Sequence, residues 1–323
     1  QLDGRTGSIT VVEPSTGKIL AMVSSPNFDP NTVEEQWSWL TSEENTTQNM
    51  MNHATQGTYP PGSTFKLITL LEYIRENPDT WQDFHYTCTG TYTNGDYVVN
   101  CHDGVAHGEL DIYGILGMSC NGAFDTIAQT LNSTKWQKLA EDFGYNQSDR
   151  SQVDFPYKKS HFDIASDDSV WSRMQLAIGQ GTTTVTPLLN LMMYAAIAND
   201  GVMMTPYLVD HYLDADGNVV EQTKPKALRS VCTKAEAELM DEFLTYVITN
   251  GTAAAGGSQY ARVSGKTGSA QYDSTKNYHA WFCGYGTNDV SEIAVCVMIE
   301  KGGAGGIVAA PVAGQIFDYY FSR

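Results

Sequence analysis

Cationic side chains are scarce in this chain: 19 Lys and Arg stand against 37 Asp and Glu, a formal net charge of −18 at pH 7. A surface of that sign excludes nucleic acid and the anionic bilayer surface as partners. An anionic substrate has to be met locally, by Lys66, Lys266 or Arg262. Long apolar runs are missing as well. The richest, Leu188 to Ala198, falls short of the roughly 18 residues that a membrane span needs, and it ends in an Asn199-Asp200-Gly201 turn. No internal repeat, low-complexity tract or long Pro/Ser-rich linker divides the 323 residues, which leaves a single domain. The start, Gln1, has no initiator Met, no basic n-region and no signal-like apolar segment, so the chain reads as an excised part of a longer protein.

Three short strings stand in one order: Ser63-Thr64-Phe65-Lys66, Ser119-Cys120-Asn121 and Lys266-Thr267-Gly268. A serine hydroxyl is a poor nucleophile near neutral pH, and it needs a base within reach and donors for the oxyanion formed on attack. Each string can supply one of those parts. Ser63 follows Tyr59-Pro60-Pro61-Gly62 and precedes apolar residues at Phe65, Leu67, Ile68, Leu70, Leu71 and Ile74, which predicts a helix beginning at the serine. Lys66, three residues on, then shares its face, and the positive end of the helix dipole favours negative charge developing at Ser63. Lys66 can act as a base only where desolvation or a second cation lowers its pKa, and Lys266 is the obvious second cation.

Taken singly, each string has an ordinary structural reading. Ser-x-x-Lys is an N-cap with a solvated lysine, Ser-x-Asn a turn before the helix Phe124 to Leu131, and Lys266 an edge-strand lysine that deters strand pairing. Gly265-Lys266-Thr267 is not a phosphate loop, since Tyr260 stands where that motif needs glycine. The ordered set and its local contexts argue for chemistry.

Alternation around Pro14-Ser15-Thr16-Gly17 predicts a hairpin of Ser8 to Val12 with Ile19 to Ser24. Strands are expected at Arg262 to Tyr272, His279 to Gly286 and Glu292 to Glu300, with a helical stripe over Glu236 to Thr249 and a closing helix near Ala309 to Phe321. The expected architecture is α/β: an antiparallel sheet built from both chain ends and flanked by helices, approximately 1–54 and 231–323, with a mostly helical subdomain at approximately 55–230.

The three strings, with Tyr59-Pro60-Pro61-Gly62 and Gly179-Gln180-Gly181-Thr182, resemble the transpeptidase domain of class B penicillin-binding proteins. The likeness runs from Gly7-Ser8-Ile9-Thr10-Val11-Val12 and Thr16-Gly17-Lys18-Ile19-Leu20-Ala21-Met22 to the closing Ala309-Ala310-Pro311-Val312-Ala313. It implies the penicillin-binding-protein and serine β-lactamase-like fold, and a D,D-transpeptidase that cross-links peptidoglycan stem peptides and is acylated by β-lactam antibiotics. It further implies cell-wall synthesis machinery as partner, and a place on the outer face of the bacterial cytoplasmic membrane, with an N-terminal anchor and pedestal domain outside this chain. By the family pattern Ser63 is the nucleophile, Lys66 its base and Ser119 a proton relay. Asn121 holds the substrate amide, Lys266 and Thr267 meet the terminal carboxylate, and Gly268 lets the strand approach. The backbone N–H groups of Ser63 and Ser269 form the oxyanion hole. No cofactor is needed for these steps. Class A β-lactamases add a Glu-x-x-Leu-Asn segment that positions a deacylating water, and none lies between Asn121 and Lys266. An amine acceptor is thereby favoured over water. A D,D-carboxypeptidase and a non-enzymatic β-lactam sensor are the alternatives.

Six cysteines complete the inventory. Cys283 and Cys296 sit in apolar strands and read as small core residues, whereas Cys232 carries no signal. Cys88 and Cys101 each lie six positions from Asn94-Gly95, a strong two-residue turn, so they are expected to face each other, as are Tyr92 and Tyr97. A Cys88–Cys101 disulfide is one reading. A structural zinc held by Cys88, Cys101, His107 and Cys120, pinning the hairpin against the Ser119 loop, is another. Free thiols are the third, and the spacing does not choose among them.

Overall fold

A computed structural model describes residues 2–148, 153–273 and 277–323. The chain opens with an antiparallel hairpin, β1 (Gly7–Val12) and β2 (Ile19–Ser25), then a short helix, α1 (Val33–Leu40). A 3-10 turn at Gly62–Phe65 passes straight into α2 (Lys66–Glu76). Four short strands follow, β3 (His85–Cys88), β4 (Thr91–Asn94), β5 (Tyr97–Asn100) and β6 (Gly108–Asp111), as two nested ribbons in which β3 pairs with β6 and β4 with β5. Helices α3 (Ile112–Gly117), α4 (Asn121–Ala128), α5 (Ser133–Asp142), α6 (Val170–Ala177) and α7 (Pro187–Ala198) lead to four more short strands, β7 (Val202–Met204), β8 (His211–Leu213), β9 (Val219–Gln222) and β10 (Ala227–Ser230). The long helix α8 (Lys234–Asn250) then precedes β11 (Arg262–Gln271), β12 (Tyr278–Thr287), β13 (Glu292–Ile299), α9 (Gly305–Val308) and α10 (Ala310–Phe321).

One five-stranded sheet, in the order β11-β12-β13-β1-β2, joins the two chain ends. Every pairing is antiparallel, and Gly7 of β1 stands opposite Ile299 of β13. Residues of β12 and β13 are buried on both faces, because α7, α8 and α10 pack against these strands and their neighbours, so they read as apolar runs where a one-sided sheet would alternate. Helix α7 is buried on nearly every side; Pro187 sits in its first turn and the Thr186 side chain caps the Leu189 N–H. Thr233 and Glu236 close a capping box at the start of α8. Among the described residues no helix is long and apolar enough to cross a membrane.

The sheet strands and terminal helices fall where the sequence places them. Cys283 and Cys296 are directly opposed across β12 and β13 and fully buried, small core residues as expected. The ribbon register differs from expectation. Asn94 pairs with Tyr97 and Tyr92 with Val99, so the two loop residues are Gly95 and Asp96, with Gly95 at φ +61°, a conformation glycine reaches without strain. Cys88 therefore lies on another ribbon, opposite Gly108, while the Cys101 N–H bonds to the Gly90 carbonyl. The expected opposition of Cys88 and Cys101 across one hairpin is thus not found.

One carboxylate locks α8 to the sheet. Asp241 accepts from Tyr285 Oη and Ser264 Oγ, each at 2.7 Å, and from Arg262 Nη1 at 2.6 Å. Arg262 is thereby engaged at the far start of β11, away from Lys266. Asp241→Ala should lower the urea midpoint, with a loss of about 1–3 kcal/mol for the buried phenol left without an acceptor. Asp241→Asn, which keeps one acceptor oxygen, should lose less.

Candidate active site

Three segments meet: the 3-10 turn and first turn of α2, the junction of α3 with α4, and the middle of β11. The turn carrying Ser63 is held from several sides. Gly62 adopts φ +56° and its N–H bonds to the Gly179 carbonyl at 3.0 Å, which gives the Gly179-Gln180-Gly181 string its place behind the serine. Thr64 Oγ1 donates to the Pro61 carbonyl and accepts from Asn190 Nδ2, and the Thr64 carbonyl accepts from Tyr194 Oη at 2.8 Å. Trp281 Nε1 donates to the Pro60 carbonyl at 3.0 Å. Gly268 supplies the close approach: a Cβ there would stand 2.9 Å from the Pro61 carbonyl oxygen, so any larger residue would push β11 off the turn.

Both lysines are fully buried. Lys66 Nζ donates to Asn121 Oδ1 at 2.7 Å and the Ser119 carbonyl at 2.8 Å, and lies 3.3 Å from Ser119 Oγ. It also sits 5.1 Å above the Phe124 ring. From the other wall Lys266 Nζ reaches the same Ser119 Oγ at 2.9 Å and the Thr267 carbonyl at 3.1 Å. Ser119 takes φ +55° to present its hydroxyl there, a conformation that non-glycine residues seldom adopt and that recurs at functional sites. Burial pushes Lys66 down to about 8, against the opposing influence of Cys120, Cys101 and Asp125. Lys266 is driven well below the usual amine range by burial and then by the Lys66 charge. One hydroxyl between two amines of lowered basicity can pass a proton from one to the other.

Ser63 stands one residue triplet before Lys66 with its side chain partly open to solvent. Thr267 Oγ1 is 3.1 Å from Thr252 Oγ1, and Ser269 Oγ accepts from the Gly305 N–H at the start of α9. Asn121 Nδ2 donates to the Asn100 carbonyl at 2.8 Å, so the β4–β5 ribbon fixes the amide whose oxygen holds Lys66. Asn100, Thr252, Asn190 and Tyr194 are residues that the motifs do not name, because their contacts come from chain far removed in sequence. Asp125, one turn beyond Asn121, is another: fully buried, neither oxygen with a partner, and pushed well above the carboxylate range by burial.

Behind Asn121 the four expected sulfur and imidazole groups do converge. Cys88 Sγ lies 3.6 Å from Cys101 Sγ and 3.4 Å from His107 Nδ1, and Cys101 Sγ lies 3.8 Å from Cys120 Sγ. All four ligand atoms fall within 4.8 Å of one another. The thiols are free, so of the three readings the Cys88–Cys101 disulfide is not the one formed. The Cys101 thiol is held below its usual range by the hydrogen bond from Cys120, and backbone N–H groups of Gly122 and Asn121 act in the same sense.

The structure thus joins a helix-start serine, a lysine one turn on, a Ser-x-Asn junction and a Lys-Thr-Gly strand in one place. Residues 7–318 match the penicillin binding protein transpeptidase domain, and the chain belongs to that family. It is 29% identical to the peptidoglycan D,D-transpeptidase MrdA of Acinetobacter baumannii, over 99% of this chain and 51% of that protein. It is 28% identical to PbpA of Mycolicibacterium smegmatis, another peptidoglycan D,D-transpeptidase, over 95% of this chain and 65% of that one. The chain thus spans half to two thirds of the curated relatives it matches. Among solved structures, the ceftriaxone acyl-enzyme complex of penicillin-binding protein A from M. tuberculosis superposes with a TM-score of 0.86 at 27% identity, covering 97% of this chain and 73% of that one. The D,D-transpeptidase domain of a peptidoglycan glycosyltransferase from Eggerthella lenta gives 0.87 at 28%, covering 98% and 78%.

The depressed basicity of Lys66 sets a pH profile. Only the unprotonated amine can take a serine proton, and with its value lowered to about 8 that form gains ground as pH rises through that point. Acylation by benzylpenicillin should climb with pH, inflect near 8 and level off above it. A stopped-flow rate that is flat between about pH 6 and 10 would assign the proton transfer to another group.

Proposed function

We propose that this chain is the catalytic part of a peptidoglycan D,D-transpeptidase that cross-links stem peptides through an acyl-serine intermediate. The observation that carries the reading is the meeting of two buried lysine amines on the Ser119 hydroxyl. Ser63 Oγ attacks the D-Ala–D-Ala carbonyl and gives its proton to neutral Lys66. The oxyanion is received by the backbone N–H groups of Ser63 and Ser269. The proton then passes from Lys66 through Ser119 to the departing D-alanine amine, and the acyl-serine ester remains. An amine of a second stem peptide attacks that ester, and the same relay runs in reverse. Asn121 orients the donor peptide, Lys266 and Thr267 attract its terminal carboxylate, and Gly268 keeps β11 close to the attacking serine. A β-lactam enters by the same route and stops at the ester, as the name of the ceftriaxone acyl-enzyme neighbour says of that protein. The sheet part, approximately 1–54 and 231–323, and the helical part, approximately 55–230, are on this reading the two walls of the groove. The substrate places the domain outside the cytoplasmic membrane, with cell-wall synthesis machinery as its partner.

Zinc is the metal that the cysteine and histidine cluster fits. In a tetrahedral site with ordinary Zn–S and Zn–N lengths, two sulfurs stand about 3.8 Å apart and a sulfur and an imidazole nitrogen about 3.6 Å. Three of the six separations here are 3.6, 3.8 and 3.4 Å, and all six lie within 4.8 Å. We propose that Cys88, Cys101, His107 and Cys120 hold it, with a structural role: it would fasten both ribbons to the residue between Ser119 and Asn121. No chemical step passes through it.

Direct measurements test these readings. Ser63→Ala should lose the covalent penicillin adduct in intact-protein mass spectrometry, and Lys66→Arg, which keeps charge but cannot be deprotonated, should lower acylation by several orders of magnitude with the fold intact. An adduct surviving on Ser63→Ala would end the assignment. Product analysis with an added amine acceptor separates transpeptidase from carboxypeptidase. For the metal, purified protein should contain one zinc per chain, and a chelator should lower the melting temperature, whereas a reductant should not. Metal-free protein whose stability ignores the chelator would return the cluster to plain thiols.

A further inference from the structure

Strand β11 stands at one end of the sheet order, with β12 as its neighbour, and its other edge pairs with no strand of that sheet. In an antiparallel pair every second residue turns its N–H and C=O to such an edge. Three bonds tell which residues do so here. The Tyr272 N–H donates to the Asn277 carbonyl at 3.2 Å across the turn into β12. The carbonyl of Tyr278, which stands opposite Gln271, accepts from the Gly303 N–H on the far side of β12. The Thr267 carbonyl accepts from Lys266 Nζ. Gln271, Ser269 and Thr267 therefore face outward, while Ala270 and Gly268 bond to β12. This parity is what the Ser269 N–H needs to act as an oxyanion donor.

The outward groups of Gln271 are taken. The Gln180 side-chain amide donates to the Gln271 carbonyl at 2.9 Å and accepts from the Gln271 N–H at 3.3 Å; turned the other way, it would set donor against donor and acceptor against acceptor. One side chain thus does for one residue what a neighbouring strand would do. Its place is imposed by the loop that carries it. Gln180 lies between Gly179 at φ +68° and Gly181 at φ +65°. Its own N–H bonds to the Gln175 carbonyl, and the Gly179 carbonyl accepts from the Gly62 N–H beside Ser63. A Cβ on Gly179 would stand 2.3 Å from the Gly62 carbonyl oxygen, so only glycine fits that joint.

We propose that Gln180 is a specificity-determining residue that keeps the donor peptide from pairing with β11 beyond Ser269. The proposal rests on the transpeptidase reading, in which the terminal carboxylate lies at Lys266 and Thr267 and the attacked carbonyl at the Ser269 N–H. An extended donor then runs along β11 toward Gln271 as an added strand. The residue two places before the acylated one comes level with Gln271, finds both backbone groups there occupied, and turns away from the sheet. Strand-like recognition ends with the residue next to the acylated one, and beyond that point the donor backbone need not have regular peptide geometry.

Protection against labelling by a fluorescent penicillin tests this, because it reads peptide binding whether or not the peptide turns over. Two N-acetylated peptides ending in D-Ala-D-Ala are compared, one with a single residue before that pair and one with two. The unaltered protein should be protected alike by both. With Gln180→Ala the longer peptide should protect at about one fifth of the concentration of the shorter, the worth of one added strand hydrogen bond. Gln180→Asn, one methylene shorter and unable to span both Gln271 groups, should shift the same way in case the alanine variant does not fold. Loss of stability alone would weaken both peptides together and leave their ratio unmoved. Equal protection by the two peptides in the variants, or an advantage of the longer one already in the unaltered protein, would overturn the proposal. Failure of both peptides to protect any of the proteins would instead overturn the transpeptidase reading, and the proposal with it.

Discussion

Two lysine amines, each in a fully buried side chain, converge on the Ser119 hydroxyl, and Coulomb repulsion in so dry a place opposes both carrying a proton at once. Much of the surrounding architecture answers that constraint. Asn121 Oδ1 and the Ser119 carbonyl accept from Lys66, the Thr267 carbonyl accepts from Lys266, and the Phe124 ring offers its face. The left-handed turn at Ser119 is what lets carbonyl and hydroxyl of one residue serve two amines. Strain there is local, and the helix α4 that follows and the ribbon that bonds Asn121 hold it in place.

The cysteine and histidine cluster belongs to the same arrangement. Cys120 stands between the two site residues of its string, and its sulfur packs on Cys101, which follows directly on the ribbon strand whose last residue, Asn100, accepts from Asn121. Whatever tightens or loosens those sulfurs acts on the amide that holds Lys66. The small ribbons thus do what a hydrophobic core does elsewhere, though they are too short to be stable by themselves.

Much of this was legible in the sequence. The strands β11, β12 and β13, the helices α8 and α10 and the three strings follow from period, turn chemistry and spacing, because these are local signals. Local signals misled at the β4–β5 turn, where Asn94-Gly95 outranks Gly95-Asp96 by preference, yet the chain closes one residue later. The cysteines meet all the same, brought together by the β3–β6 pairing and the Cys120 junction, neither of which leaves a mark on the hairpin itself. Thr252, Asn190 and Tyr194 were invisible for a related reason: each supports the site from an element distant in sequence, and ordinary polar residues in a helix or loop carry no flag.

Strand β1 lies between β2 and β13, with Gly7 opposite Ile299. Of the five strands of this sheet, the first in sequence is therefore an inner strand whose second neighbour, β13, is the last. Until that neighbour arrives, one hydrogen-bonding edge of β1 is open, and the Ser63 turn lacks the β11 backbone on which it rests. During vectorial synthesis Ser63 and Lys66 exist long before the wall bearing Lys266, so a nascent chain holds an exposed strand edge and an unfinished site together. Completion of the sheet and completion of the active site are one event, timed by the final fifth of the chain.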